Sequence, residues 1–297
     1  MNQLFKSFLP LFVFASLFYS CDKEDEQVPA YLHITKFSFT SKVSDFGLGT
    51  SEIVGAKVFV NGQEIGNFEL PATIPVLSSG KSVIEIFPNV KENGSISNQK
   101  YYKPYTSYRD TLFLNPKVID TIKPSSTYRT NTNLVWMEDF EDQAISMVKS
   151  GYNNSKDSMV AISTSSSGVD QPFTGSDYTG YVNITDDTLV IFERSTVNSF
   201  ELPNLGTDVY VEMDIKTNVP VQVGIYADNN VTVIQSPVLV VNATDGKWKK
   251  IYVNLKSETG DLSSGTKVRV FLGTYKESGD TVDKHIYIDN LKLLYVQ

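Results

Sequence analysis

The chain has 297 residues, 41% of them hydrophobic and 20% charged, the balance of a globular protein and not of a disordered one. With 26 Lys and Arg against 34 Asp and Glu its formal net charge is -8, and no basic stripe of the kind a nucleic-acid partner requires is present. One cysteine, Cys21, and two histidines, His33 and His285, exclude an internal disulfide, a cysteine-based metal cluster and an HExxH site. At roughly 100–200 residues per domain the length suggests one large or two modest domains. The 17 Phe and 16 Tyr suit pleated, half-buried strands.

Residues 1–20 open with Lys6 and continue as the apolar run Phe8–Tyr19. That run is too short for the about 20 residues that cross a bilayer as a helix, and it reads as a secretory signal. It ends Leu17-Phe18-Tyr19-Ser20-Cys21, which resembles a bacterial lipobox. The resemblance implies lipidation of Cys21 by palmitate-type acyl chains, which supply the several anchoring signals that stable membrane attachment needs. Residues 21–30 form an acidic tether. Its Asp22-Lys23-Glu24-Asp25-Glu26 resembles the lipoprotein export signal of Bacteroidetes-type bacteria, which implies a lipid-anchored protein on the outer face of the cell outer membrane.

Residues 31–123 read as a first β domain. Leu32–Thr40 alternates with one phase slip, predicting a bulged strand. Asn61-Gly62 between two apolar runs predicts a type I′ hairpin. Ser79-Gly80 turns the chain into Ser82–Phe87, and residues 100–123 supply one or two further strands. The string GAKVFVNGQEIGNFELPATIPVLSSGKSVIEIFPNV resembles PEGA-like and related immunoglobulin-like surface domains, which implies an immunoglobulin-like sandwich and no particular ligand. Tyr101, Tyr102, Tyr105 and Tyr108 cluster here, either as a platform for sugar or, the favoured reading, as edge-strand and interdomain packing. Residues 124–134 are polar and aperiodic, and the seam is placed there.

Residues 135–297 hold at least eight candidate strands: Met159–Ser163, Tyr181–Ile184, Thr188–Phe192, Val209–Lys216, Val221–Tyr226, Trp248–Leu255, Lys267–Tyr275 and His285–Val296. That density predicts a jelly roll. Trp136–Asp142, Gly246–Leu255 and Ile286–Leu291 make this half resemble carbohydrate-binding modules of the galactose-binding-like jelly-roll type. The resemblance implies that an opening Phe-Glu strand and a closing Asp-bearing strand lie side by side and hold a structural Ca²⁺ through Glu141 and Asp289. The six to eight oxygens that Ca²⁺ takes would be completed by carbonyls and by carboxylates such as Asp139 or Asp142. Trp248 is expected in the core, and Trp136 against the first domain. Tyr178, Tyr181 and Tyr226, with Asp228 in the adjacent turn, are the candidate ligand contacts.

Asp-Ser/Thr-apolar triplets place Thr111, Thr121, Ser158, Thr188 and Thr281 in a pattern that resembles the O-glycosylation acceptor of Bacteroidetes exported proteins; the same triplets are common at strand starts. The sequence is thus expected to be an all-β, non-catalytic outer-membrane lipoprotein. Its membrane partner is reached through the lipid, and a polysaccharide or an outer-membrane protein is reached through the jelly roll. A structural or assembly lipoprotein is the alternative. A glycoside hydrolase or lyase is less well supported, because Asp139, Glu141 and Asp142 sit too close in sequence to face each other across a cleft.

Overall fold

The computed structural model describes residues 27–94, 99–151, 158–165, 176–185, 190–204 and 206–297. Cys21, Thr188 and the signal segment 1–20 lie outside the described residues. The architecture is all-β. The first half contains β1 (Ala30–Ile34), β2 (Ser38–Phe39), β3 (Gly55–Val60), β4 (Gln63–Glu69), β5 (Ala72–Val76), β6 (Gly80–Lys91), β7 (Gln99–Tyr101), β8 (Tyr108–Leu114), β9 (Ile119–Ile122) and β10 (Ser125–Ser126). The second half contains β11 (Thr132–Glu138), β12 (Met147–Lys149), β13 (Met159–Ser163), β14 (Tyr178–Ile184), β15 (Val190–Thr196), β16 (Phe200–Glu201), β17 (Val209–Thr217), β18 (Val221–Asp228), β19 (Val233–Val241), β20 (Lys249–Asn254), β21 (Lys267–Lys276) and β22 (Lys284–Val296). Among the described residues no helix is long and apolar enough to cross a membrane.

In the first half, a sheet ordered β4-β3-β6-β7, with β8 also paired to β6, faces the sheet β5-β1-β9 across a core that includes Leu32, Ile34, Val58, Ile84 and Leu114. Asn61 and Gly62 have φ of 52° and 80°, the doubly positive φ of a type I′ turn, so the β3–β4 hairpin is the one expected. The phase slip in Leu32–Thr40 is not a bulge. The chain leaves β1, which pairs with β5 and β9, and enters β2, which pairs with β10 in a separate two-stranded ribbon. Segment 124–134 carries β10 and the start of β11, and Ser126, Tyr128 and Thr132 within it are buried.

The second half is a jelly-roll sandwich of two six-stranded sheets. One runs β13-β14-β22-β17-β20, with β11 also on β22; the other runs β12-β15-β21-β18-β19, with β16 also on β21. Period-2 alternation sends Val211, Met213, Ile215, Val223, Ile225, Val270 and Leu272 into one core. Strand β19 escaped the sequence reading because Pro237 interrupts it. It is an edge strand, where proline is tolerated.

The two halves meet on polar ground. Glu212 of β17 is fully buried, and its carboxylate accepts the hydroxyls of Tyr102 and Tyr128, each at 2.7 Å, from the first half. Lys250 of β20 lies 3.3 Å from the same carboxylate and also donates to Thr50 Oγ1 at 3.0 Å. Tyr102, Tyr105, Tyr128, Tyr210 and Tyr252 pack edge-to-face around this point. Of the four tyrosines singled out in the sequence, Tyr102 and Tyr105, essentially unexposed, pack between the halves, whereas Tyr101 packs on Phe87 and Tyr108 against the core of the first half. Deleting the carboxylate would leave two phenol hydroxyls without their acceptor and Lys250 without its nearest counter-charge. Glu212→Ala is expected to cost about 3–5 kcal/mol in denaturant unfolding, and Glu212→Gln less. A loss below about 1 kcal/mol would mean that the halves dock without this carboxylate.

Candidate functional site

The outer face of the β12-β15-β21-β18-β19 sheet carries a cleft of about 450 Å³. With Val221, Val223 and Ile225 committed to the core, alternation turns Gln222, Gly224 and Tyr226 of β18 outward. On β21 it likewise turns Phe271, Gly273 and Tyr275 outward. Register places Glu193 of β15 opposite Gly273, and Gly273 opposite Gln222, so the three form one cross-strand row. Gln235 of β19 faces Tyr226. Glu193 accepts the Tyr226 hydroxyl and, at 2.9 Å, the Gln235 side-chain amide. The Glu193 carboxylate is thereby locked in place at the cleft wall. Gly273 forms an open floor: a Cβ there would stand 3.2 Å from Glu193 Cγ and 3.3 Å from the Phe192 carbonyl. Tyr275, 60% exposed, stands at the rim. The cleft thus offers an aromatic face, two amides and a fixed carboxylate to a polyhydroxylated ligand.

A second arrangement forms where β22 changes neighbours. Residues up to Ile288 pair with β14, and residues from Leu291 on pair with β11. Ile288 and Leu291 both enter the core, so Asp289 and Asn290 share the outer face, with Asn290 at φ 48°. The loop after β11 brings Glu141 to this point and the approach to β14 brings Ser176. Ser176 Oγ lies 2.7 Å from Asp289 Oδ2 and 3.3 Å from Glu141 Oε1. Glu141 also accepts the Asp177 amide at 3.0 Å. Burial, with Asp214 and Glu141 nearby, pushes the Asp289 carboxyl up to about 8, against the hydrogen bonds from Ser176 and the Asn290 amide. Among the described residues no donor reaches the buried Asn290 Oδ1. Glu141 and Asp289 therefore meet on one hydroxyl. Asp139 and Asp142 do not join them: each accepts a backbone amide two residues on, at Glu141 and Ala144 respectively, closing local turns. Among the described residues no group of three or more His, Cys, Asp or Glu side chains is arranged to hold a metal.

The remaining candidates fall in different places. Tyr226, expected at the surface, is 2% exposed and serves beneath the cleft as the donor to Glu193. Tyr178 packs against the core of the sandwich instead of standing clear of it. Asp228 accepts the Asn230 amide at 2.8 Å and shapes the turn after β18. Tyr181 is half-buried on the outer face of the opposite sheet, with its ring 4.8 Å from that of Tyr287. Trp248 is not core. Ile251, Val253 and Leu255 hold the inward phase of β20, so the even-numbered Trp248 falls on the outer face, half-exposed. Trp136 packs in the core of the second half, not against the first, and donates its indole N–H to Ser146 at 2.9 Å. The sequence reading missed Glu193, Gln222, Gln235, Gly273 and Tyr275. They come from four strands, and no local motif links them. Thr111, Thr121, Ser158 and Thr281 are all exposed; Thr111 and Thr121 lie within strands β8 and β9 and not at their starts.

Neither a protein-family profile nor a curated protein sequence matches the chain. Solved structures to which the chain is similar include carbohydrate-binding modules and an exo-β-agarase. One comes from a study of promiscuous specificity in carbohydrate-binding modules of the β-sandwich superfamily; it is 14% identical, with a TM-score of 0.38, covering 80% of this chain and 84% of that one. A family 61 module in complex with β-1,4-galactotriose is 18% identical, with a TM-score of 0.32, covering 52% and 92%. A family 11 module from Clostridium thermocellum, in complex with a β-1,3-1,4-mixed-linked tetrasaccharide, is 15% identical, with a TM-score of 0.35, covering 55% and 94%.

Proposed function

We propose that this protein is a non-catalytic surface lipoprotein that binds a glycan in the Glu193–Tyr275 cleft. The observation that carries the reading is the cleft itself: a glycine floor, a carboxylate held by Tyr226 and Gln235, the amide of Gln222 and an exposed tyrosine on one sheet face. Sugars present apolar ring faces and many hydroxyls, and these groups match both. A glycosidase needs two carboxylates facing each other across roughly 5–10 Å. Among the described residues Glu193 is the one carboxylate that lines the cleft, which supports binding without hydrolysis. Affinity electrophoresis of the full chain through a panel of soluble plant and microbial polysaccharides tests the reading. At least one neutral glycan is expected to retard the protein. Tyr275→Ala, at an exposed position, is expected to weaken that retardation about tenfold or more without lowering the melting temperature. Retardation by no glycan, or one indifferent to both Tyr275→Ala and Glu193→Gln, would reject it.

The anchor in this proposal is Cys21, the sole thiol, directly behind the apolar run and ahead of the acidic tether. Surface exposure on the outer membrane follows from the Lys23–Glu26 pattern, and O-glycosylation at Thr111, Thr121, Ser158, Thr188 and Thr281 belongs to the same reading. Cys21→Ala is expected to move the protein out of the membrane fraction or leave a precursor that retains residues 1–20. Normal processing and unchanged outer-membrane fractionation would refute lipidation.

Calcium at Glu141 and Asp289 completes the proposal. Two carboxylates converging on one hydroxyl, one of them buried and resisting ionisation, suit a divalent cation that would neutralise both. The sign of the pH effect is fixed. A carboxyl whose folded pKa lies above its unfolded one binds more protons in the folded state, so its contribution to stability is lost as pH rises from the ordinary carboxylate range through about 8. With chelator present, the melting temperature is expected to fall across that window, and Asp289→Asn, which can still accept from Ser176, should flatten the fall. Added Ca²⁺ should raise the melting temperature of the unsubstituted protein and not that of the variant. Identical responses in the two proteins would argue against the site.

A further inference from the structure

The opposite outer face of the same sandwich carries a second set of groups that the cleft does not use. On the β13-β14-β22-β17-β20 sheet, register aligns Val160, Tyr181, Tyr287 and Lys216 in one line across four strands. Tyr181 and Tyr287 lie with ring centroids 4.8 Å apart at 34°, and Lys216 Nζ stands 5.0 Å over the Tyr287 ring. Trp248 extends the line, 6.4 Å from Tyr287. All three rings are half-exposed. The line runs into the seam between the halves, where two clefts of about 400 and 450 Å³ share Trp248, Glu52 and Lys250 in their walls.

The charge of this region departs from that of the chain. Lys91, Lys247 and Lys249 line the first cleft, and none of them is in an ion pair with a described residue. Lys250 is committed inward to Glu212 and Thr50. Of the acids that line the two clefts, Asp214 is tied to Thr50 at 2.7 Å, which leaves Glu52 against the three lysines of the first cleft, with Lys216 beyond them. Asp283 stands near Tyr181 at one end of the row, and at the other end a protein of net charge -8 has gathered lysines beside Trp248.

We infer that the Tyr181–Tyr287–Trp248 row and the lysine-lined seam cleft beside it form a second binding site, for an acidic polysaccharide with carboxylates on its sugar rings. Stacked ring faces take the C–H face of a pyranose, and cations spaced along the row take the carboxylates it carries. Single-stranded nucleic acid also stacks on aromatic faces, but it needs a continuous cationic groove to follow its phosphates. Four lysines on a strongly acidic chain fit the sparser charge of a polyuronate. The site lies on the sheet opposite the Glu193 cleft, so the two readings succeed or fail independently.

The test is affinity electrophoresis of the full chain through polygalacturonate and through the same polymer after carboxyl reduction, at two ionic strengths. Polygalacturonate is expected to retard the protein. Carboxyl reduction, higher salt, Trp248→Ala and the double change Lys247→Gln with Lys249→Gln are each expected to weaken binding about tenfold, while Tyr275→Ala leaves it unchanged. Because Trp248→Ala alters a seam residue, the melting temperature of each variant is measured, and the exposed lysine pair decides the outcome where the tryptophan variant has lost its fold. Absence of retardation, equal retardation by the reduced polymer, indifference to the lysine pair, or retention by a single-stranded oligonucleotide in place of the polyuronate would each overturn the inference.

Discussion

A buried carboxylate with donors from one strand and two connecting segments holds the two halves of this protein in register. Glu212 has no exposure, and an isolated charge at such a depth would be expelled or neutralised. It persists because two tyrosine hydroxyls reach it from the first half and one ammonium reaches it from its own sheet. Each partner constrains a different segment. Tyr102 fixes the turn after β7, and Tyr128 fixes the connection between the halves. Lys250 fixes the strand that follows Trp248. The aromatic packing around the site adds area but little direction. The hydrogen bonds supply the direction, since a phenol hydroxyl must meet its acceptor at a defined distance and angle.

The same network carries an imbalance that the rest of the sheet absorbs. Glu212, Asp214 and Asp289 face Lys250 and Lys292 on one surface, three acids to two bases. Burial, with Lys250 beside it, holds the Lys292 ammonium down to about 8, and burial likewise raises Asp214. Burial, with Asp214 and Glu141 nearby, raises Asp289 as well, so the carboxyl that resists ionisation stands where β22 bulges between its two neighbours. A bulge that turns Asp289 and Asn290 to one side both breaks the ladder and collects carboxylates. Glu141 arrives at that break because it lies in the loop that follows β11, the strand that takes over pairing with β22. Topology, and not sequence spacing, brings residues 141 and 289 together.

Local chemistry was legible in the sequence, and assembly was not. The Asn61-Gly62 hairpin follows from two residues that tolerate positive φ, and most strands of the second half follow from alternation alone. The convergence of Glu141 and Asp289 came through resemblance, since no spacing rule links positions so far apart. The exposed position of Trp248 was available in principle, because Ile251, Val253 and Leu255 fix the inward phase of that strand. Counting back by twos from Ile251 passes Trp248 by. The Glu193 cleft was out of reach. Its members are ordinary polar and aromatic residues in four strands, and only the register of β15, β18, β19 and β21 makes them neighbours. Tyr226 shows the complementary failure: a tyrosine beside a polar turn reads as exposed, yet its hydroxyl is drawn under the surface by Glu193.

The two outer faces of the sandwich differ because only one of them is partly covered. Trp248, just ahead of β20, projects to the same side as Lys250 and Tyr252 within it. The first half covers Tyr252, which is 1% exposed, and Lys250, which is 8% exposed, and stops short of Trp248. The limit of that cover is set by Thr50, whose hydroxyl spends itself on Asp214 and accepts from Lys250. Residues Gly49 to Glu52 then form the opposing wall of the gap in which Trp248 stands. The seam clefts are therefore products of docking. The second half by itself would present Trp248 on an open sheet face, with Lys250 and Tyr252 bare beside it and Glu212 exposed to water. The interaction that joins the halves thus also shapes the surface at their junction, and any force that separates them would dismantle both together.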